Sequence, residues 1–202
     1  VARPEATSAI LLNKAATFHE QGESEEALRV LAVASELIAG NRAPRLFCVL
    51  RFNQAANLIH LGRGHEARLL VREVRSLVDS LANSIDRIRV RWLEGELATL
   101  LEEWDEAVGA FEEVRSLFLE RNLPYEFALA SLDLAFVFGK LGRFTEIRIM
   151  AGRILDIFKK ERIDREALAT VTLLREAAEK EAITAEVVGS LRERLLRLRR
   201  GL

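Results

Sequence analysis

The sequence predicts an all-α solenoid of about five antiparallel helix pairs, and three observations carry that prediction. Glutamate recurs at forty-residue steps, as Glu26, Glu66, Glu106, Glu146 and Glu186, each followed by Ala27, Ala67, Ala107, Ile147 or Val187. Four positions after each of these anchors stands Leu31, Val71, Phe111, Ala151 or Leu191, so five repeats run in register without an insertion. The composition agrees. Only 3 of 202 residues are proline, and the chain is rich in Leu, Ala, Glu and Arg, which are strong helix formers.

The repeats are placed at about 6–40, 44–81, 84–121, 124–161 and 164–200, all within one repeat domain covering 1–202. In the first, Ala15 lets two helices approach closely and Phe18 fills the space beside it. Gly22 then supplies the turn, and the second helix ends on the apolar pair Leu37-Ile38. The second repeat is the clearest. Its helices are expected over Arg45 to Leu61 and His65 to Leu81, joined by Gly62-Arg63-Gly64, with Ala55 and Leu58 in the small and large slots. The third uses Gly95 and Ala98 there and closes on Leu117-Phe118. The fourth uses Ala135, Phe138 and Gly142 and closes on Ile157-Phe158. The recurring glutamate falls in the first turn of each second helix, where it complements the helix dipole by about 0.3–1 kcal/mol. No pair buries its apolar stripe alone, so neighbouring pairs must stack. In the fifth repeat, Arg175 and Arg194 replace buried residues, which predicts a solvent-facing C-terminal cap. The first repeat has no such polar cap, since Ile10, Leu11 and Leu12 are all apolar; upstream sequence or a second copy in a homodimer is expected to cover it. The start at Val1, without Met, suggests a fragment of a longer chain.

A small residue in the first helix, glycine at the turn and Glu-Ala-x-x-x-apolar in the second resemble the tetratricopeptide (TPR) repeat. The forty-residue period departs from the usual length of about 34 and matches longer repeats of bacterial regulatory proteins and kinesin light chains. HEAT and armadillo arrays have similar periods, but the glycine turn and Glu-Ala anchor fit the TPR pattern better. The resemblance implies a right-handed α-α superhelix whose first helices line a concave groove. Its groove positions fall on Leu12, Phe52, Trp92, Leu132 and Thr172, on Ala16, Ala56, Glu96, Phe136 and Glu176, and on Asn13, Asn53, Leu93, Asp133 and Leu173, with His60, Leu100 and Lys140 one turn on. The resemblance therefore implies a partner-binding set of Asn13, Phe52, Asn53, His60, Arg89, Trp92, Glu96, Asp133 and Phe136. Aromatic anchors would supply burial, and Asn13, Asn53 and Arg89 would bind a ligand's main chain or an acidic group. Phe52 and Phe136 equally fit packing against neighbouring helices. Trp92, between Arg89 and Glu96, suits a partly wet surface. Grooves that capture a terminal carboxylate use clustered Lys, Arg and Asn; here those positions are largely apolar.

Other chemistries find little support. Thirty Lys+Arg against 31 Asp+Glu leave a net charge of -1, so no overall field draws nucleic acid or an acidic membrane. The C-terminal Arg192, Arg194, Arg197, Arg199 and Arg200 lack base-reading partners and read as a solvated helix end. His19, His60 and His65 show no metal-ligand spacing, although His19 and His60 lie near the groove in successive repeats. Cys48 is the sole cysteine and reads as a buried, inert thiol in a reducing, cytoplasmic setting. No catalytic residues, metal or cofactor are expected, nor a membrane span. The function expected is a non-catalytic scaffold for a partner protein or peptide. The alternative is a sensing module that controls an attached output domain, such as a transcription regulator.

Overall fold

The computed structural model describes residues 4–38, 43–81 and 83–200. The sequence-based boundary at residue 40 and the side chain of Arg200 lie outside the described residues. All the regular structure described is helical, and the chain divides into two compact units, Val1–Glu102 and Glu103–Leu202. The N-unit holds α1 (Pro4–Glu20), α2 (Ser24–Leu37), α3 (Pro44–His60), α4 (Gly64–Leu81) and α5 (Ser84–Leu100). The C-unit holds α6 (Trp104–Glu120), α7 (Pro124–Lys140), α8 (Phe144–Lys160), α9 (Arg165–Glu179) and α10 (Ala185–Arg200).

Helix ends follow one rule. Gly22, Gly62 and Gly142 adopt φ of 80°, 75° and 70°, and the next residue's N–H reaches back five residues: Glu23 to the Phe18 carbonyl, Arg63 to Leu58, Arg143 to Phe138, each at 2.8 Å. This ties off carbonyls that the helix end leaves open. Glu102, Asn122, Arg162 and Glu181 take the same left-handed conformation, with φ of 53–57°, although none is glycine. An L-residue there costs about 1–2 kcal/mol, so the same turn is made at strained positions that carry no glycine signal. From Trp104 to Lys160, every helix has 17 residues. The module there is a single helix of twenty residues with its turn, half the period read from the glutamates.

In the N-unit, α1 packs on α2 and α3 on α4, while α1, α3 and α5 neighbour one another in turn. The small slots are closed: Ala15 and Ala55 have no exposure, nor do the anchors Ala27 and Ala67. One core cluster joins Leu12, Leu31, Ile38 and Leu50; a second joins Leu58, Val71, Leu93 and Leu97; a third, at the far end of α4, joins Cys48, Val74, Val78 and Val90. Burial of a Leu- or Val-sized side chain contributes about 1.5–3 kcal/mol, which is why these positions specify the stack.

In the C-unit, α7 is the central helix, with α6, α8 and α10 all packed on it. Its buried residues run from Tyr125 and Phe127 through Leu134 and Ala135 to Phe138. The Tyr125 hydroxyl donates to Asp164 at 2.6 Å, and Asp164 in turn accepts the Glu166 and Ala167 amides at 2.9 Å as the N-cap of α9. The tyrosine hydrogen bond, first among its causes, holds the Asp164 carboxyl below its ordinary range. Helix α10 lies against both α7 and α9. Arg192 grips Asp133 at 2.6 and 2.7 Å, and Arg199 reaches Glu126 at 3.4 Å. The arginine tail is thus not wholly the solvated face the sequence suggested. Arg194 and Arg197 are exposed, but Arg192 and Arg199 pin their helix to α7. Arg175 is exposed beside Glu179.

Candidate functional site

Three of the expected binding residues meet in one place. Phe52 and Asn53 on α3 and Arg89 on α5 line a cavity of about 190 Å³ in the N-unit. Its apolar floor is Cys48, Phe52, Val78, Leu81 and Val90, with exposed Val49 at the edge, and its polar rim is Arg45, Asn53, Asp86 and Arg89. The successive first helices α3 and α5 supply the walls, and the end of α4 closes the base. Arg45 and Asp86 sit in the first turns of α3 and α5, so neighbouring helix starts place both charges at one mouth. Asn83 caps α5, its side chain accepting the Ile85 and Asp86 amides at 3.0 and 3.4 Å, which fixes where Asp86 begins its turn.

Charge at the mouth is loosely held. Asp86 lies 3.7 Å from Arg45 and 3.6 Å from Arg89, and those guanidinium side chains are 67% and 62% exposed. Elsewhere in the same unit, Arg75 closes on Glu94 at 2.8 and 2.5 Å, and Arg63 on Glu66 at 2.7 Å twice. Burial, then the Asp86 charge, push the Cys48 thiol up, with Arg45 opposing. The thiol stays protonated at neutral pH and behaves as an apolar lining group.

The other expected residues fall elsewhere. Asn13 is exposed on α1, one repeat before Asn53, and among the described residues neither side-chain amide has a hydrogen-bond partner. Trp92 and Glu96 are half-buried on α5, outside the cavity. Of the wider rows, Leu12, Leu93 and Leu132 are core residues with 2–4% exposure. In the C-unit, Asp133 is held by Arg192, and Phe136, one turn further along α7, lies 5.3 Å from the Lys140 ammonium. On α7, Asp133 is therefore engaged by the chain's own α10. Arg45, Val49 and Asp86 were missed by sequence reasoning, because the groove rows follow mid-helix positions whereas the cavity lies at the helix starts.

His60 meets His19 edge-to-face at 5.6 Å, and the His19 Nδ1 is 3.0 Å from the Asn57 side-chain oxygen. Burial, and then His19, lower the His60 pKa below 6.5. An unfolded imidazole takes up its proton near 6.5 and the folded one only at lower pH, so unfolding binds protons as pH falls. The expected result is an N-unit that loses stability between pH 7 and pH 5.5, with part of that loss removed in His60→Gln. Urea midpoints at the two pH values check it. No group of three or more potential metal ligands occurs among the described residues, and no described helix is long and apolar enough to cross a membrane.

No known family profile matches the sequence, and no curated protein matches it. A solved structure does match: a Rap protein complexed with competence and sporulation factor, at TM-score 0.72 and 14% identity. The match covers 100% of this chain and 64% of that one, so the chain spans about two-thirds of its neighbour's length. At that identity the likeness concerns the fold, and the fold is the all-α helical-repeat solenoid class that the periodicity predicts.

Proposed function

We propose that the chain is a repeat module of the tetratricopeptide kind that binds a partner protein or peptide without catalysis, on the N-unit surface formed by α1, α3 and α5. The observation that carries this reading is the α3–α5 cavity, which gathers an aromatic wall, an amide and two exposed guanidinium groups. Its volume suits one branched aliphatic or phenyl side chain, since a cavity of about 150 Å³ accepts benzene. Burying such a side chain supplies about 1.5–3 kcal/mol, the scale of a binding hot spot. Asn13 and Asn53 offer unspent amides to a main chain lying across α1 and α3. The structural neighbour's complex with competence and sporulation factor is consistent with a fold used for recognition.

The test is affinity capture by the full-length protein, comparing wild type with the double variant Phe52→Ala and Trp92→Ala after circular dichroism has shown both to be helical. The expected result is a specific partner lost from the double variant. Equal capture by both would remove this surface from consideration. The regulatory reading is favoured by one feature, the docking of α10 on α7 through Arg192 and Arg199, which gives the C-unit an element that a ligand or partner could displace.

A further inference from the structure

We infer that the α3–α5 cavity receives an apolar side chain from a partner segment whose adjacent residue is Asp or Glu, and that Asp86 holds the place of that carboxylate while the cavity is empty. The inference rests on the reading of the N-unit as a binding surface and specifies its occupant. The floor accepts only an apolar group: Cys48, Phe52, Val78, Leu81 and Val90 offer no strong hydrogen-bonding side chain. The mouth carries two cations for one anion. Arg45 and Arg89 stand 3.7 and 3.6 Å from Asp86, beyond ordinary charged hydrogen-bond distance, and among the described residues neither side chain has another polar partner. Most of their N–H donors therefore remain to be used, and the fork of a guanidinium suits a carboxylate.

A segment that continues past the cavity suits the surface better than a chain terminus. Asn53 is on the rim, and Asn13 stands forty residues earlier on the neighbouring α1; two free amides along that direction match a main chain running on. Asp86 competes with the incoming acid for the same guanidinium groups. Its neutralisation is therefore expected to tighten binding of an acidic ligand, the opposite of what a ligand-contacting carboxylate would do.

Cys48 gives a readout at alkaline pH, where its thiolate forms, because it is the sole cysteine and lines the cavity. Its alkylation by iodoacetamide is measured with millimolar acetyl-Ala-Leu-Asp-Ala-amide, acetyl-Ala-Leu-Asn-Ala-amide or acetyl-Ala-Ala-Leu with a free carboxyl end. The expected result is strongest protection by the Asp peptide, about fivefold better than by the Asn peptide, in line with exposed charge pairs. Asp86→Asn should strengthen protection by the Asp peptide and leave the Asn peptide unchanged, and Arg89→Gln should erase the difference. Equal protection by the Asp and Asn peptides in the wild type overturns the acidic occupant while leaving a binding cavity. Better protection by the free carboxyl end overturns the choice of an internal acid. If no peptide protects Cys48 yet Phe52→Ala with Trp92→Ala still loses its partner, the cavity inference fails and the binding surface stands. The absence of both effects would remove both readings.

Discussion

Gly139→Ala is expected to destabilise the C-unit by about 2 kcal/mol, although alanine is the better helix former by about 1 kcal/mol. A Cβ at Gly139 would stand 2.8 Å from Ile183 Cγ2, 2.9 Å from its Cβ and 3.2 Å from its backbone oxygen. Gly139 lies near the end of α7, and Ile183 lies in the connection that turns α9 into α10. The added methyl therefore pushes on main chain that cannot swing aside as a flexible side chain would. Gly152 on α8 is the control, because nothing lies within 4 Å of its Cβ position. Gly152→Ala should gain about 0.5–1 kcal/mol from helix propensity alone. Urea unfolding followed by circular dichroism separates the two. If both alanines shift the midpoint the same way, the close approach of α7 to the α9–α10 connection is not tight enough to matter.

That contact also marks where the sequence stops being informative. The forty-residue recurrence locates the helices because each anchor must be small or apolar to close its stack, and Ala27, Ala67, Ala107 and Ile147 are indeed fully buried. The fifth anchor, Val187, is only half-buried, in line with the polar residues around it. The glycines reveal three turns. The repeat boundaries already fall at Asn122 and Arg162, but the left-handed conformation there and at Glu102 and Glu181 was illegible, since other residues can be forced into it when the flanking helices pack well enough to offset the strain.

The candidate site was legible in part. Phe52 and Asn53 were visible as groove positions and Arg89 as the neighbour of Trp92, but Arg45 and Asp86 belong to helix starts, where Asp86 reads as dipole complement and Arg45 falls on no groove row. Asp133 carried the same groove signal as Asn53. What distinguishes them is α10, whose Arg192 lies 59 residues along the chain from Asp133. Periodicity describes what neighbouring repeats share and says nothing of a terminal helix that takes a different partner. A polar residue on a groove row is therefore left open to a partner on α3 and held as an internal clasp on α7, and only the packing tells them apart.

The same logic of repeat comparison makes Arg115→Met a stabilising substitution, by about 1–2 kcal/mol. Arg75 sits where a first-helix carboxylate receives it, pairing with Glu94 while Arg91 approaches Glu94 at 3.1 Å. Forty residues on, the corresponding positions are Arg115, Leu134 and Ser131, so the carboxylate has become a fully buried leucine. Arg115 Nε instead donates to the Ser131 hydroxyl at 2.6 Å, which itself donates to the Phe127 carbonyl at 2.6 Å, and the guanidinium lies 5.0 Å from the centre of the Phe127 ring. Burial first, then the Arg153 charge, lower its pKa to about 10, with Glu112 opposing. The folded pKa is depressed, so the unfolded chain binds the proton more readily. The resulting penalty is present in full at neutral pH and begins to be relieved only above about pH 10. A methionine keeps the apolar stem against Phe127 and removes the desolvated charge, a replacement that is often neutral or stabilising. Ser131 keeps its bond to the Phe127 carbonyl, so no buried donor is orphaned. Arg75→Met is the matched comparison, because it strips Glu94 of its bidentate partner and should lower stability. Should Arg115→Met lower the urea midpoint as far as Arg75→Met does, the ring contact and the single hydroxyl outweigh the burial of the charge.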